Sequence, residues 1–172
     1  KYEDDPPDES HYISGLRTTL HHWGMGEALD VTAETVTLKR HSSWTTDTDQ
    51  VLALSNGASQ EIGQGRVEAA VAALEEALGF FHGDYLPQYD APDHRIDPEQ
   101  RRWEREWVQI EKRLLKCYLH LPDLSARQRA PDIADAILSR NEDDPEMVRL
   151  VREVAQRLQD CRLLQRCHGV RE

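Results

Sequence analysis

From Val67 onward, apolar residues recur at spacings of three and four with few interruptions. That period places side chains on one face of an α-helix, whereas a half-buried strand would alternate every second residue. Val67, Ala70, Val71, Leu74, Leu78 and Phe81 form one such stripe, with Glu68, Glu75 and Glu76 on the wet side. Gly83 is expected to end that helix, and Pro87, Pro92 and Pro98 mark a loop. Asp97-Pro98-Glu99 is a helix start with proline in the first turn. The long helix that follows is predicted to run to about Leu121, with Trp103, Trp107, Ile110, Leu114 and Tyr118 as its buried row, and Pro122 closes it. Pro131 to Leu138 opens another helix, ended by Asn141 to Asp144. Pro145 then begins one through Met147, Val148, Val151, Val154, Ala155 and Leu158, and a last helix covers Leu163 to Val170. Leu74, Leu78, Trp107, Leu114, Ile137 and Val151 are the expected core of this part.

The first third reads differently. Asp5-Pro6-Pro7-Asp8 is a loop, and Asp8 or Ser10 can cap a helix. Ile13, Leu16, Leu20 and Trp23 make its apolar stripe, and Gly24 and Gly26 end it. Leu29 to Leu38 alternates and is rich in β-branched residues, as in a half-buried hairpin. Lys39 to Ser43 is expected as a turn or loop, followed by a return segment from Trp44. Asp47 or Asp49 caps a short helix through Leu54, stopped by Asn56-Gly57. Residues 57–65, with their Gly, Ser and Gln, are expected to form a flexible connection. The predicted domains are therefore residues 1–58, a small α+β part, and residues 66–172, all helical.

Composition narrows the functional classes. Of 172 residues, 38% are hydrophobic and 31% charged, and no run approaches the roughly 18 apolar residues of a membrane span. The start has no apolar signal-peptide core, and without an initiator Met the chain is expected to begin inside a longer protein or to have been trimmed. Three scattered cysteines, Cys117, Cys161 and Cys167, leave at least one thiol unpaired, which favours a reducing cytoplasm. Cys161, Cys167 and His168 match no standard zinc spacing, and adjacent His21 and His22 point about 100° apart on a helix, so no metal is expected. There is no Gly-rich phosphate loop, paired-His zinc motif or nucleophile elbow. Glu75-Glu76, and Glu104 with Glu111, read as solvated helix acids or local ion pairs, so no catalytic residue, cofactor or enzyme activity is expected. The net charge of -11 argues against a surface given over to nucleic acid. Any such contact must come from a local patch, because residues 1–60 hold four Lys/Arg against ten Asp/Glu.

Several segments, in order, resemble a known regulator family. Ala134-Asp-Ala-Ile-Leu-Ser-Arg-Asn-Glu-Asp-Asp-Pro145-Glu-Met-Val-Arg-Leu resembles the junction between tetratricopeptide repeats, where small residues let paired helices approach and proline fixes the turn. Ala73 to Pro87, with Gly83-Asp84-Tyr85-Leu86, is similar to the start of the bacterial transcriptional activator domain. That family follows with a Trp-bearing helix, matched by either Trp103-Glu104-Arg105 or Trp107-Val108. Leu16-Arg17-Thr18-Thr19-Leu20-His21-His22-Trp23 resembles the recognition helix of the OmpR-type winged helix in Streptomyces antibiotic regulatory proteins. Val31 to Leu38 and Trp44 to Asp47 resemble its wing hairpin and exit strand. The family's N-terminal sheet and two earlier helices have no counterpart here. Where relatives continue the recognition helix with Leu-Arg, this chain has Trp23-Gly24.

The resemblance implies a mainly α fold, a partial winged helix-turn-helix (helix plus β-hairpin) followed by a tetratricopeptide-like helical activator domain. It implies a cytoplasmic transcriptional activator. Arg17, Thr18, His21 and His22 would face promoter DNA while Leu16, Leu20 and Trp23 pack inward, with Lys39 and Arg40 at the hairpin tip meeting phosphate. Implied partners are promoter DNA in the full-length protein, a second copy of the chain, and RNA polymerase or another protein, with no membrane. The alternative is a tetratricopeptide-like interaction module without DNA binding of its own. Arg149, Arg152, Arg157, Arg162 and Arg166 on the last helices suit a solubilising face or an acidic partner.

Overall fold

A computed structural model describes residues 9–33, 35–39, 44–83, 97–121 and 123–169. The fold is mainly helical, with one two-stranded antiparallel hairpin, and the chain divides into two compact units at Thr46/Asp47. The first unit holds α1 (Glu9–His22), a single 3-10 turn (Gly26–Ala28), β1 (Leu29–Val31) and β2 (Val36–Leu38). The strands pair Leu29 with Leu38, Asp30 with Thr37 and Val31 with Val36. Among its described residues, Leu20, Ala28 and Leu29 are the buried apolar ones. The expected exit strand at Trp44 to Asp47 is absent: residues 44–46 are irregular, and Asp47 already belongs to a helix.

The second unit contains α2 (Asp47–Gly63), α3 (Val67–Leu78), α4 (Asp97–Tyr118), α5 (Asp123–Arg140), α6 (Pro145–Leu158) and α7 (Cys161–Gly169). Sequence neighbours pack on one another, and α4 also packs against α6. Of the expected core residues, Leu74, Leu114, Ile137 and Val151 are fully buried, while Leu78 and Trp107 are half-buried. Ala70, Ala77, Ala130, Ala134 and Ala155 are fully buried between the helices, where a larger side chain would force the backbones apart. Each large apolar side chain buried here contributes roughly 1.5–3 kcal/mol.

Two helix boundaries are corrected. Residues 57–63, read as a flexible connection, are the last turns of α2. Ser55 and Ala58 are buried on that helix, and the Arg113 guanidinium donates to the Ser55 carbonyl (3.2 Å) and to the hydroxyls of Ser55 (2.6 Å) and Ser59 (2.9 Å). Packing and these bonds override the breaker signal of Asn56-Gly57. Pro131, read as a helix start, lies inside α5, which begins eight residues earlier.

Polar ties radiate from α4. To α2 it reaches through Arg113 and Glu106, which accepts from the Ser55 hydroxyl at 2.9 Å. To α3 it sends the buried Tyr118 hydroxyl, which donates to Glu75 at 2.8 Å; Arg129 of α5 donates to the same carboxylate at 2.9 Å. To α5 it offers Glu111, 1% exposed, which accepts from Arg140 and, at 2.9 Å, from Asn141. To α6 it extends Lys112, 2.6 Å from Glu146 and 3.2 Å from Asp144. Glu75 and Glu111 are thus ties between helices rather than solvated acids. Burial pushes the thiols of Cys117 and Cys167 up, so neither is a ready thiolate. All three cysteines are free. Among the described residues no helix is long and apolar enough to cross a membrane.

Candidate nucleic-acid interface

α1 stops because Gly24 adopts a left-handed conformation (φ +73°). The Met25 N–H then donates to the Leu20 carbonyl at 2.8 Å, and the Gly24 N–H to that of His21 at 3.0 Å. These two bonds close the helix end and turn the chain back beneath its last turn.

That last turn gathers four of the sequence-predicted residues. Arg17, Thr18, His21 and His22 are exposed and line one open depression. Residues 17 and 21, and 18 and 22, lie one turn apart, so their side chains stack on the same side of the helix. Arg17 and His21 also border a second depression with Gly24, Met25, Gly26 and Glu27. The Thr18 hydroxyl donates to the Ser14 carbonyl at 2.9 Å.

The other predicted residues fall elsewhere. Lys39 is not at the hairpin tip. It lies just past β2 at the open end, where its N–H donates to the Ala28 carbonyl at 2.6 Å and its ammonium pairs with Asp30 at 2.7 Å. Arg40 lies outside the described residues. The hairpin closes between Thr32 and Thr35. The Thr32 N–H donates to the Thr35 carbonyl at 2.8 Å, and the Thr35 N–H to the Thr32 hydroxyl oxygen at 3.0 Å. Among the described residues it is the Thr32 and Thr35 hydroxyls that mark this tip; a Thr-x-x-Thr spacing able to bond across a tight turn was the available signal.

The inward stripe of α1 is also corrected. Leu20 is buried, but Leu16 is 41% and Trp23 64% exposed, and Tyr12 on the same face is 62% exposed. At 100° per residue these three lie within about 40° of each other, on the flank of α1 away from His21. In the hairpin, Val36 and Leu38 are likewise about half exposed.

Residues 46–160 match the family model of the bacterial transcriptional activator domain. The chain belongs to that family. No curated protein and no solved structure matches it. The activator-domain match covers α2 to α6; α1, the hairpin and α7 lie outside it. Within the activator domain, Trp103 is buried and Trp107 stacks on Phe81, ring centroids 4.8 Å apart. Of the Gly83 to Pro87 motif only Gly83 is described, with φ +146°.

Proposed function

We propose that this member of the activator-domain family regulates transcription by binding promoter DNA through α1. In this reading α1 is the recognition helix of a winged helix, and the helical unit engages a second copy or the transcription machinery. The protein acts in the cytoplasm and catalyses nothing. The observation that carries the reading is the gathering of Arg17, Thr18, His21 and His22 on one exposed side of α1. Arginine can pair bidentately with guanine in the major groove, and threonine and histidine offer further hydrogen bonds to base edges or phosphate. The exposed Tyr12, Leu16 and Trp23 support the same reading, because a recognition helix packs its opposite flank on other helices of its domain.

Charge sets the affinity. Binding to DNA comes largely from neutralised phosphates, with a salt slope near -0.9 per phosphate contacted. Here Arg17 stands in a chain of net charge -11, and Lys39 is matched by Asp30. This chain alone therefore binds DNA weakly, and the full-length regulator binds through additional contacts. The test is a salt titration of promoter binding by the full-length protein, with and without Arg17→Ala. Weaker binding with a shallower slope is expected. Unchanged binding would take the DNA-reading role from α1 and leave the interaction-module reading.

A further inference from the structure

Gly26 is the residue of the first unit whose lost side chain matters most to the proposed interface. A Cβ at this position would lie 3.1 Å from the His21 Cδ2, and 3.6 Å from the His21 Cα and Cβ. At Gly24, two residues earlier, a Cβ would meet nothing within 4 Å. A side chain at position 26 would thus meet the Cδ2 edge of the His21 ring.

We infer that Gly26 is a positioning residue, whose missing side chain seats the His21 imidazole in the orientation α1 uses to contact nucleic acid. The inference rests on the reading of α1 as the recognition helix. What decides it is which partner would yield if a methyl group were added. The backbone on both sides of Gly26 is held. Met25 donates its N–H to the Leu20 carbonyl, and its sulfur accepts from the Trp44 indole N–H. Ala28 is buried; its N–H donates to the Met25 carbonyl at 2.9 Å, and its own carbonyl accepts from Lys39. His21, by contrast, is exposed. A contact of 3.1 Å is tighter than ordinary van der Waals separation, so the exposed imidazole gives by a few tenths of an ångström and the anchored loop stays. Gly26 does not have a left-handed backbone, so alanine fits its conformation and lowers the entropy of the unfolded chain. Gly26→Ala is therefore expected to fold as well as the parent while its His21 ring is displaced.

The experiment is a double-mutant cycle on promoter binding by the full-length regulator: parent, Gly26→Ala, His21→Ala and both together, with Arg17→Ala alongside. Gly26→Ala is expected to raise Kd about threefold to tenfold in the parent and not at all in the His21→Ala background. The proton shifts of the His21 ring should move, with an unchanged Tm. Equal loss in both backgrounds would make Gly26 merely structural, and no loss in either would overturn the inference. If His21→Ala is silent while Arg17→Ala weakens binding, the inference fails and the recognition helix stands. If both are silent, the recognition-helix reading itself falls.

Discussion

Arg140 donates to the carboxylate of Glu111 through both Nε, at 3.0 Å, and Nη2, and lays its guanidinium over the Trp107 ring, 5.1 Å from the centroid. Glu111 is buried and Arg140 is 41% exposed at its side chain. Arg140→Ala leaves a buried carboxylate with Asn141 as its remaining donor. Removing one member of such a pair should cost about 2–4 kcal/mol, less than for a fully dry pair because water can follow the lost arginine. The exposed Arg149–Glu153 pair, one turn apart on α6, is the control. Arg149→Ala should cost only about 0.3–0.5 kcal/mol. Urea unfolding midpoints of the two variants should separate clearly; equal midpoints would show that the Glu111 contact contributes nothing special.

Leu114 is fully buried in the C-terminal third of α4. Leu114→Ala should cost about 2–5 kcal/mol, the range for a large side chain removed from a packed core. Trp107→Ala strips the stack on Phe81 but starts from a half-buried side chain, so the expected loss is smaller, about 2 kcal/mol. Thermal melts of both variants check the order.

α6 ends on Gln159, whose φ of 55° places a non-glycine residue in the left-handed region. The Asp160 N–H donates to the Ala155 carbonyl at 2.9 Å and the Gln159 N–H to that of Gln156 at 3.2 Å, the same closure Gly24 makes on α1. Gln159→Gly should relieve the strain and stabilise the fold by about 0.5–1 kcal/mol net of the added chain entropy. A lowered melting temperature would contradict it.

The Lys112 cluster predicts the pH response. Burial pushes Asp144 up, but hydrogen bonds from Lys112 and from the backbone N–H groups of Met147 and Glu146 outweigh it and hold the carboxyl below its ordinary 3.8. Lys112 holds Glu146 below its ordinary 4.5, chiefly by hydrogen bonding. Glu146 in turn raises Lys112 above 10.5. The carboxylates contribute stability that is present above their ordinary values and lost as pH falls through the depressed ones. Lys112 contributes stability present below 10.5 and lost as pH rises through its raised value. The cluster should therefore add a decline below about pH 4.5 and another above about pH 10.5, with a plateau between. Lys112→Met should flatten both declines in urea midpoints measured across pH.

How much of this was legible depends on where each signal resides. α3, α4 and α6 follow from apolar periodicity, and the start of α6 from Asp144-Pro145, whose carboxylate does accept from the N–H groups of Glu146 and Met147. The length of α2 does not follow, because Asn56, Gly57 and Gly63 are local breakers. What overrules them is Arg113, more than fifty residues away in sequence. Glu75 and Glu111 looked like surface acids for the same reason: their partners, Arg129 and Arg140, are 54 and 29 residues distant. At the candidate interface, α1 and its four polar residues were readable from helical spacing. The place of Lys39 was not, since it depends on the hairpin closing at Thr32 and Thr35 rather than after β2.

The ties that α4 sends to four other helices have a consequence for how the activator domain comes apart. In a linear array each helix pair answers only to its neighbours, so the ends can fray while the middle survives. Here α2, α3, α5 and α6 are each bonded to one shared strut, and loosening any of them strips a polar partner from it. Slow-exchanging amides in α2, α3, α5 and α6 should therefore open together with those of α4, as one unit rather than as a zipper.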